Sequence, residues 1–163
     1  MSRKSSLKHV LLFLFAGFIC LTVTAQDCDQ YKALMKKADQ ALAEKNSELL
    51  AEVYHTDAVR HLSGAKFEGL EAIKKDAEEF YKNVPDAVGT NQEVLCSGDF
   101  LIVRWSGTGT PVGAPKPGKV TVSGITIYKI VDGKVKEEWE EISQLSMFMQ
   151  MGFELKPVEA TKD

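Results

Sequence analysis

The sequence predicts an α+β domain in which a curved, cone-like antiparallel sheet packs against three N-terminal helices and is followed by a short C-terminal helix. Two observations lead to this prediction. In the first half of the chain apolar residues recur at helical spacing, whereas the second half alternates as strands do and is interrupted by short turn signals. Strands joined by short turns form an antiparallel meander, so the helices must cover one of its faces.

Helices are predicted at three places before residue 84. The apolar stripe of residues 29–45 marks the first helix, and Asn46 or Ser47 can cap a second, shorter one. The third helix covers residues 70–83, and Pro85 ends it. Its inward stripe consists of Leu70, Ile73, Ala77 and Phe80.

Strands are predicted at residues 57–62, 90–96 and 100–106, and two further strands meet at Asp132-Gly133. A short apolar helix follows at residues 144–151. Between the strands lies the loop GTGTPVGAPKPG, residues 107–118. It lacks the Gly-Lys-Ser/Thr ending of a phosphate-binding loop, so we expect it to form a rim or lid.

The N-terminus has the pattern of a signal peptide, residues 1–25. Arg3, Lys4 and Lys8 precede an apolar run, and small residues lead to a cleavage site near Ala25. The alternative is a membrane anchor, but the run is short for a span and no basic cluster follows it. We therefore expect an exported protein, periplasmic or secreted, with no stable membrane span after cleavage. Its folded domain would cover residues 26–153 and be followed by a polar tail, residues 154–163.

The charge of the chain limits its possible binding partners, and its cysteines bear on whether a disulfide forms. The formal net charge is −3, and cleavage would make it more negative by removing three cations, which argues against nucleic-acid binding. Cys28 and Cys96 would remain in the exported chain. An oxidising compartment permits a disulfide between them, but an unpaired, buried Cys96 is an equal alternative.

The Asp132-Gly133 turn predicts which side chains face each other across the last hairpin. The opposed pairs on one face are Ile130 with Val135, Tyr128 with Glu137, Thr126 with Trp139, Gly124 with Glu141, and Val122 with Ser143. We expect this face to meet the helices and form a pocket wall. The opposite face is charged but contains Ile125, Ile127 and Ile142, which suits a homodimer contact or an ordinary half-wet surface.

Carboxylates on the predicted pocket wall are candidates for acid–base chemistry. Glu137 and Glu141 would titrate near neutral pH if they were buried without a partner. The structural alternative is that Glu137 bonds Tyr128 and Glu141 lies at a wet rim. A β-bulge would shift the register by one and turn both glutamates outward.

His61 gives a second candidate, because Val59 of the same strand should face the core and His61 shares its face. Burial against a backbone carbonyl is the alternative. Arg60 would then point to the opposite face, and Arg104 outward, near Glu138 or Glu140. The candidate catalytic pair is Glu141 with His61. The predicted ligand pocket comprises His61, Trp105, Thr126, Tyr128, Glu137, Trp139, Glu141 and Ser143. The scattered histidines and cysteines form no convincing metal site.

Three stretches, GDFLIVRWSGTGTPVG, KVTVSGITIYKIVDGKVKEEW and QLSMFMQMGF, resemble the SnoaL-like polyketide cyclase or ester cyclase family of the nuclear-transport-factor-2-like superfamily. The resemblance covers residues 51–153. It implies a cone-shaped pocket, frequent dimers, and catalysis without a metal or cofactor. Its cyclases carry an acid four positions after the strand tryptophan and a histidine after the GT of the central loop. This chain has Ser143 and Pro111 at those positions and keeps Glu137.

Three functions are consistent with these residues. The first is an exported protein that binds a small, largely apolar molecule and has lost its cyclase chemistry. The second is a metal-independent cyclase or isomerase that uses Glu141 and His61 as a rearranged acid–base pair. The third is a dimeric protein-interaction module whose outer sheet face, with Ile125, Ile127 and Ile142, contacts its partner.

Overall fold

The structure, a computed structural model, describes residues 25–157. Apart from Ala25, the predicted signal peptide lies outside these residues, as do residues 158–163 of the tail. Helix α1 covers Ala25–Glu44, a 3-10 helix covers Ser47–Glu52, and α2 covers Leu70–Asn83. The strands are β1 Tyr54–Leu62, β2 Ala65–Glu68, β3 Val88–Ser97, β4 Phe100–Gly109, β5 Val120–Val131 and β6 Lys134–Ile142, and α3 is Gln144–Gln150.

The helices follow the apolar spacing of the sequence, except that Phe80, which was predicted to face inward, is 44% exposed. The side chain of Asn46 accepts a hydrogen bond from the backbone N–H of Glu48 at 3.1 Å, so Asn46 caps the short second helix, which is 3-10. Helix α2 ends at Asn83 because Val84 precedes a proline, which disfavours helical backbone. The predicted α+β class, with helices against one sheet face and a short terminal helix, is confirmed.

The six strands form one curved, open sheet in the order β2-β1-β6-β5-β4-β3. The meander from β3 to β6 is antiparallel as predicted, but β1 lies parallel to β6, so the sheet is mixed. The sheet that was predicted as antiparallel therefore contains one parallel pair, β1 with β6. The cause lies in the tertiary structure, because β1 comes from the helical half of the chain and joins the sheet beside the last strand.

Strand β2 has no counterpart in the sequence prediction, which treated Ser63-Gly64 only as the end of a strand. Both residues have positive φ, and they form a tight turn that pairs Leu62 with Ala65. Strand β2 has only four residues, all at least partly exposed. Such a strand has no buried alternation by which its sequence could be recognised.

The core lies between the helices and one face of the sheet, which we call the inner face; the other is the outer face. Helix α1 contributes Leu34, Met35 and Ala41, and α2 contributes Leu70 and Ile73. Facing them from the sheet are Tyr54, Ala58, Leu101, Val103, Ile130 and Val135. A disulfide between Cys28 and Cys96 joins α1 to β3 and closes a loop with a sequence separation of 68. The disulfide alternative left open by the sequence is the one that forms.

Candidate functional site

A β-bulge in β6 decides which side chains line the inner face. Val131 pairs with Lys134 and Ile130 with Val135, as the Asp132-Gly133 turn predicts, but Lys129 pairs with Glu137. Lys136 is therefore an extra residue, and the later pairs are Tyr128 with Glu138, Thr126 with Glu140, and Gly124 with Ile142.

This shift reverses the predicted faces of β6. Glu137, Trp139 and Glu141 lie on the outer face, opposite Lys129, Ile127 and Ile125. The predicted pairs Tyr128–Glu137 and Thr126–Trp139 are wrong, and so is the placement of Ile142 on the outer face. The physical reason is that the glutamates now facing inward, Glu138 and Glu140, meet a cation from β1.

That cation is Arg60, which the sequence placed on the opposite face. Its Nε donates to Oε1 of Glu138 at 3.1 Å, Nη1 to Oδ2 of Asp76 at 2.9 Å, and Nη2 to Oε2 of Glu140 at 2.5 Å. The guanidinium thus joins β1, β6 and α2 in one network, which we call the Arg60 cluster. The side chain of Glu138 is 3% exposed, whereas those of Arg60 and Asp76 are 18% and 22% exposed. Solvent therefore reaches Arg60 and Asp76 more readily than the Glu138 carboxyl.

Two tyrosines, the buried Tyr54 and the partly buried Tyr128, lie next to the Arg60 cluster. The hydroxyl of Tyr54 donates to Oε2 of Glu138 at 2.5 Å, so both oxygens of this buried carboxyl are bonded. Burial, together with the charge of Glu138, raises the pKa values of Tyr54 and Tyr128 well above the ordinary range. Both phenols therefore remain protonated donors at neutral pH.

Three carboxyl groups converge on one guanidinium, so the cluster has more acid than base. Desolvation raises the pKa of Glu138, and the Arg60 guanidinium opposes that shift. Desolvation also raises the pKa of Asp76, again against Arg60, while the charges of Glu79 and Glu140 add to the rise. Burial alone would lower the pKa of Arg60, but Glu138 and Glu140 hold it well above its usual value, so Arg60 stays charged.

His61 lies on the outer face, not in the inner pocket that the sequence predicted. Its Nε2 lies 3.2 Å from Oε1 of Glu137, and its ring stacks on Trp139 at a centroid distance of 5.9 Å and an interplanar angle of 3°. The prediction assumed that Val59 faces the core. In the structure the small side chain of Ala58 is buried instead, which turns Arg60 inward and His61 outward.

The remaining predicted pocket residues divide into two groups. Trp105, Thr126 and Tyr128 do lie on the inner face, and the indole N–H of Trp105 donates to Oγ1 of Thr126 at 2.9 Å. Gly124 makes room for this indole, because a Cβ there would lie 2.5 Å from Cζ2 of Trp105. His61, Glu137, Trp139 and Glu141 form the second group, on the outer face.

Ser143 belongs to neither group; it lies between the end of β6 and the start of α3. Its Oγ accepts a hydrogen bond from the backbone N–H of Ser123 at 3.1 Å. A wide, solvent-open cavity of about 860 Å³ lies beside it, which we call the α3 cavity. Its lining includes Lys116, Ile142, Ser143, Leu145, Ser146 and Met149. A smaller cavity of about 310 Å³ lies beside the Asp132-Gly133 turn.

Helix α3 is held firmly beside this cavity. Oε1 of Gln150 accepts from the backbone N–H of Thr121 at 2.9 Å, and its Nε2 donates to the Thr121 carbonyl at 2.8 Å. The loop before β5 is tied to the same C-terminal end of the helix, because the N–H of Lys116 donates to the Met151 carbonyl at 2.9 Å. The cavity walls are therefore preformed.

The sequence missed Asp76, Glu138 and Glu140 as site residues. Asp76 carried a detectable signal, since it lies between Ile73 and Ala77 within the apolar stripe of α2, where a charge needs a partner. Across residues 25–157, no three His, Cys, Asp or Glu side chains are grouped to hold a metal ion. Within the same residues, no helix is both long and apolar enough to cross a membrane.

Comparisons with known proteins give one family and one fold. The family model for SnoaL-like polyketide cyclases matches residues 32–151. No curated protein matches the sequence significantly. TsrD from Streptomyces laurentii is 23% identical, with a TM-score of 0.69 over 76% of this chain and 96% of that one.

Two further solved structures have the same fold. IdmH from Streptomyces antibioticus, provisionally assigned as a polyketide cyclase, is 20% identical, with a TM-score of 0.66 over 75% of this chain and 98% of that one. AclR from Streptomyces galilaeus, provisionally assigned as a hydroxylase, is 21% identical, with a TM-score of 0.67 over 77% and 97%. At these identities the likeness establishes the fold alone. Because the family model covers most of the chain, this protein belongs to the SnoaL-like polyketide cyclase family, with its nuclear-transport-factor-2-like fold.

Proposed function

We propose that this protein binds a small, largely apolar molecule in the α3 cavity and that it has lost the cyclase chemistry of its family. The observation behind the proposal is the setting of Ser143. This residue stands at the position of the family's acid, lines a cavity of about 860 Å³, and uses its hydroxyl oxygen to accept a backbone N–H. The apolar side chains of this open cavity offer a surface for a small molecule, while a serine cannot replace an ordinary acid near neutral pH.

The loop position of the family's histidine supports the same conclusion. It is occupied by Pro111, which has no proton to transfer. The preceding Thr110 donates its backbone N–H and its hydroxyl to Asp86, at 2.5 and 2.9 Å, and Val112 donates its N–H to the Asn83 carbonyl. The Thr110–Val112 segment of the loop is therefore tied to the end of α2 as a wall, and Pro111 itself has no group that could act as an acid or base.

Binding can be tested with N-phenyl-1-naphthylamine, a neutral apolar fluorophore that brightens when it leaves water. Met149 lines the cavity and is 62% exposed, so Met149→Gln should weaken binding about five-fold through the loss of about 1 kcal/mol of apolar contact. Leu155→Gln is the matched control, because Leu155 is 79% exposed and does not line the cavity. Absence of binding, or equal weakening by both variants, would reject the proposal.

A second candidate is cofactor-free proton transfer, as in a cyclase or isomerase, at the Arg60 cluster. It is favoured by the raised pKa of Asp76 and by the position of that carboxyl at the solvent-accessible edge. The predicted catalytic pair, Glu141 and His61, lies on the outer face and away from this cluster. The acid–base groups of this candidate are therefore Asp76 and Glu140. Exchange of the α-hydrogens of 1-tetralone in D₂O, followed by NMR, would detect such chemistry. Exchange that survives in Asp76→Asn, or is equally lost in the control Glu71→Gln, would exclude it.

We also propose that the protein is exported and forms a homodimer through its outer face. A disulfide is typical of oxidising compartments, which supports export. On the outer face Ile125 is 50% exposed and Ile127 is 37% exposed, next to Phe100. Light scattering should give a dimer mass that Ile125→Glu reduces to the monomer, and N-terminal sequencing should begin at Gln26. A monomeric wild-type protein would refute the homodimer. An N-terminus that still begins at Met1 would refute export through cleavage of a signal peptide.

A further inference from the structure

The α3 cavity has a one-sided charge. Among the described residues that line it, Lys116 is the only ionisable one, and the polar remainder consists of serine and glutamine side chains. Within residues 25–157 the Lys116 ammonium makes no ion pair. A cavity with apolar walls, one unpaired cation and no lining carboxylate is complementary to an apolar molecule that carries a single negative group.

Lys116 is held at the cavity by its backbone. It lies between Pro115 and Pro117, which fix their own φ angles, and Pro117 disfavours helical backbone at Lys116. Its N–H is bonded to the Met151 carbonyl, and its stem packs against Gly152. A Cβ at Gly152 would lie 2.8 Å from Cβ of Lys116, so only glycine permits this approach. The backbone of Lys116 is therefore held in a defined position at the rim of the α3 cavity.

Two neutral donors lie on the same cavity lining. Oγ of Ser146 accepts from Nε2 of Gln150 at 3.3 Å, which leaves the Ser146 hydroxyl proton free to donate. The side-chain amide of Gln144 forms no hydrogen bond within the described part of the chain, and it also lines the cavity. An ammonium, a hydroxyl and an amide N–H are the donors that carboxylate oxygens accept from.

We propose that the α3 cavity selects apolar molecules that carry a carboxylate, and that Lys116 receives this group while Leu145 and Met149 contact the apolar part. This inference rests on the proposed function, since it specifies the ligand class of the same cavity. It also gives the loop of residues 107–118 a role: the loop presents the recognition lysine. Long-chain carboxylates are a simple representative of this class.

The test is competition against N-phenyl-1-naphthylamine by three compounds with the same tail: dodecanoate, dodecan-1-ol and dodecyltrimethylammonium. At about pH 8, below their micelle concentrations, dodecanoate should displace the fluorophore at a two- to five-fold lower concentration than the alcohol, with the cation weakest. Lys116→Gln should abolish that preference. Lys119→Gln is the matched control, since Lys119 directly follows the loop but does not line the cavity, and it should retain the preference.

A measurement on the wild-type protein alone provides an independent check. Raising the salt concentration should reduce the preference for dodecanoate without weakening the binding of the alcohol. Equal displacement by acid and alcohol, or a preference that persists in Lys116→Gln, would overturn the inference. In either case the proposed function would stand if dodecan-1-ol still displaces the fluorophore and Met149→Gln weakens fluorophore binding. If the fluorophore does not bind the wild-type protein at all, both fail.

Discussion

Replacing Arg60 by methionine should show that the Arg60 cluster is a balanced set of buried charges. Methionine keeps most of the apolar volume but removes the three ion pairs to Glu138, Asp76 and Glu140. Removing one partner of a buried ion pair typically costs about 3–5 kcal/mol, because the remaining charge has no compensation. We expect the free energy of unfolding at neutral pH to fall by about this amount.

The pH dependence gives the sharper test. The pKa values of Glu138 and Asp76 are raised above their ordinary values of 4.5 and 3.8, mainly by desolvation, and Arg60 opposes both shifts. A group with a raised pKa in the folded state stabilises the protein below its ordinary pKa, and this contribution is lost as pH rises through the folded pKa. Without Arg60 both pKa values rise further. The loss of unfolding free energy caused by Arg60→Met should therefore be largest at about pH 8 and should become smaller toward about pH 4.

Urea unfolding followed by circular dichroism measures this difference at each pH. Arg104→Met is the matched control, since Arg104 pairs with Glu93 on the outer face, where both side chains are about half exposed. Its cost should be much smaller and should depend little on pH above about 5, because exposed pairs are screened by water. The reasoning is refuted if the two variants cost the same, or if the cost of Arg60→Met does not change with pH.

Two further substitutions test the packing around the inner face. Cys96→Ser should lower the free energy of unfolding by up to about 4 kcal/mol, since the Cys28–Cys96 bond closes a loop with a separation of 68. Reductant should destabilise the wild-type protein similarly and leave the variant unchanged; a wild-type protein indifferent to reductant would contradict this. Gly124→Ala should cost about 1–3 kcal/mol and shift tryptophan emission, because its Cβ would lie 2.5 Å from the Trp105 ring and 2.7 Å from the Glu141 carbonyl oxygen. Gly107→Ala, whose nearest atom would be 3.4 Å away, is the control, and an equal loss in both variants would count against the close contact.

Much of the fold is predictable because its signals are local. The apolar stripe of α2, the stop at Pro85 and the turn at Asp132-Gly133 each depend on residues only a few positions apart. The start of the hairpin register, Val131 with Lys134, follows from the turn and is correct. The family resemblance rests on equally local motifs, and the family match over residues 32–151 confirms it.

The candidate site was predicted in part only. Trp105, Thr126 and Tyr128 were placed on the inner face correctly, because their strands alternate without interruption. The faces of Glu137 and His61 were wrong for one shared reason. An inward glutamate in β6 is unfavourable until Arg60 from β1 is beside it, and β1 and β6 are neighbours only in the folded sheet.

The sequence by itself determined the α+β class, the order of most elements, the hairpin turn and the family, because local periodicity and short motifs specify each of them. Only the tertiary structure decided the parallel β1–β6 contact, the bulge at Lys136 and the Arg60 cluster that goes with it. Those features depend on pairing charges far apart in the chain. A buried charge is stable only with its partner, and the partner's position is a property of the whole fold.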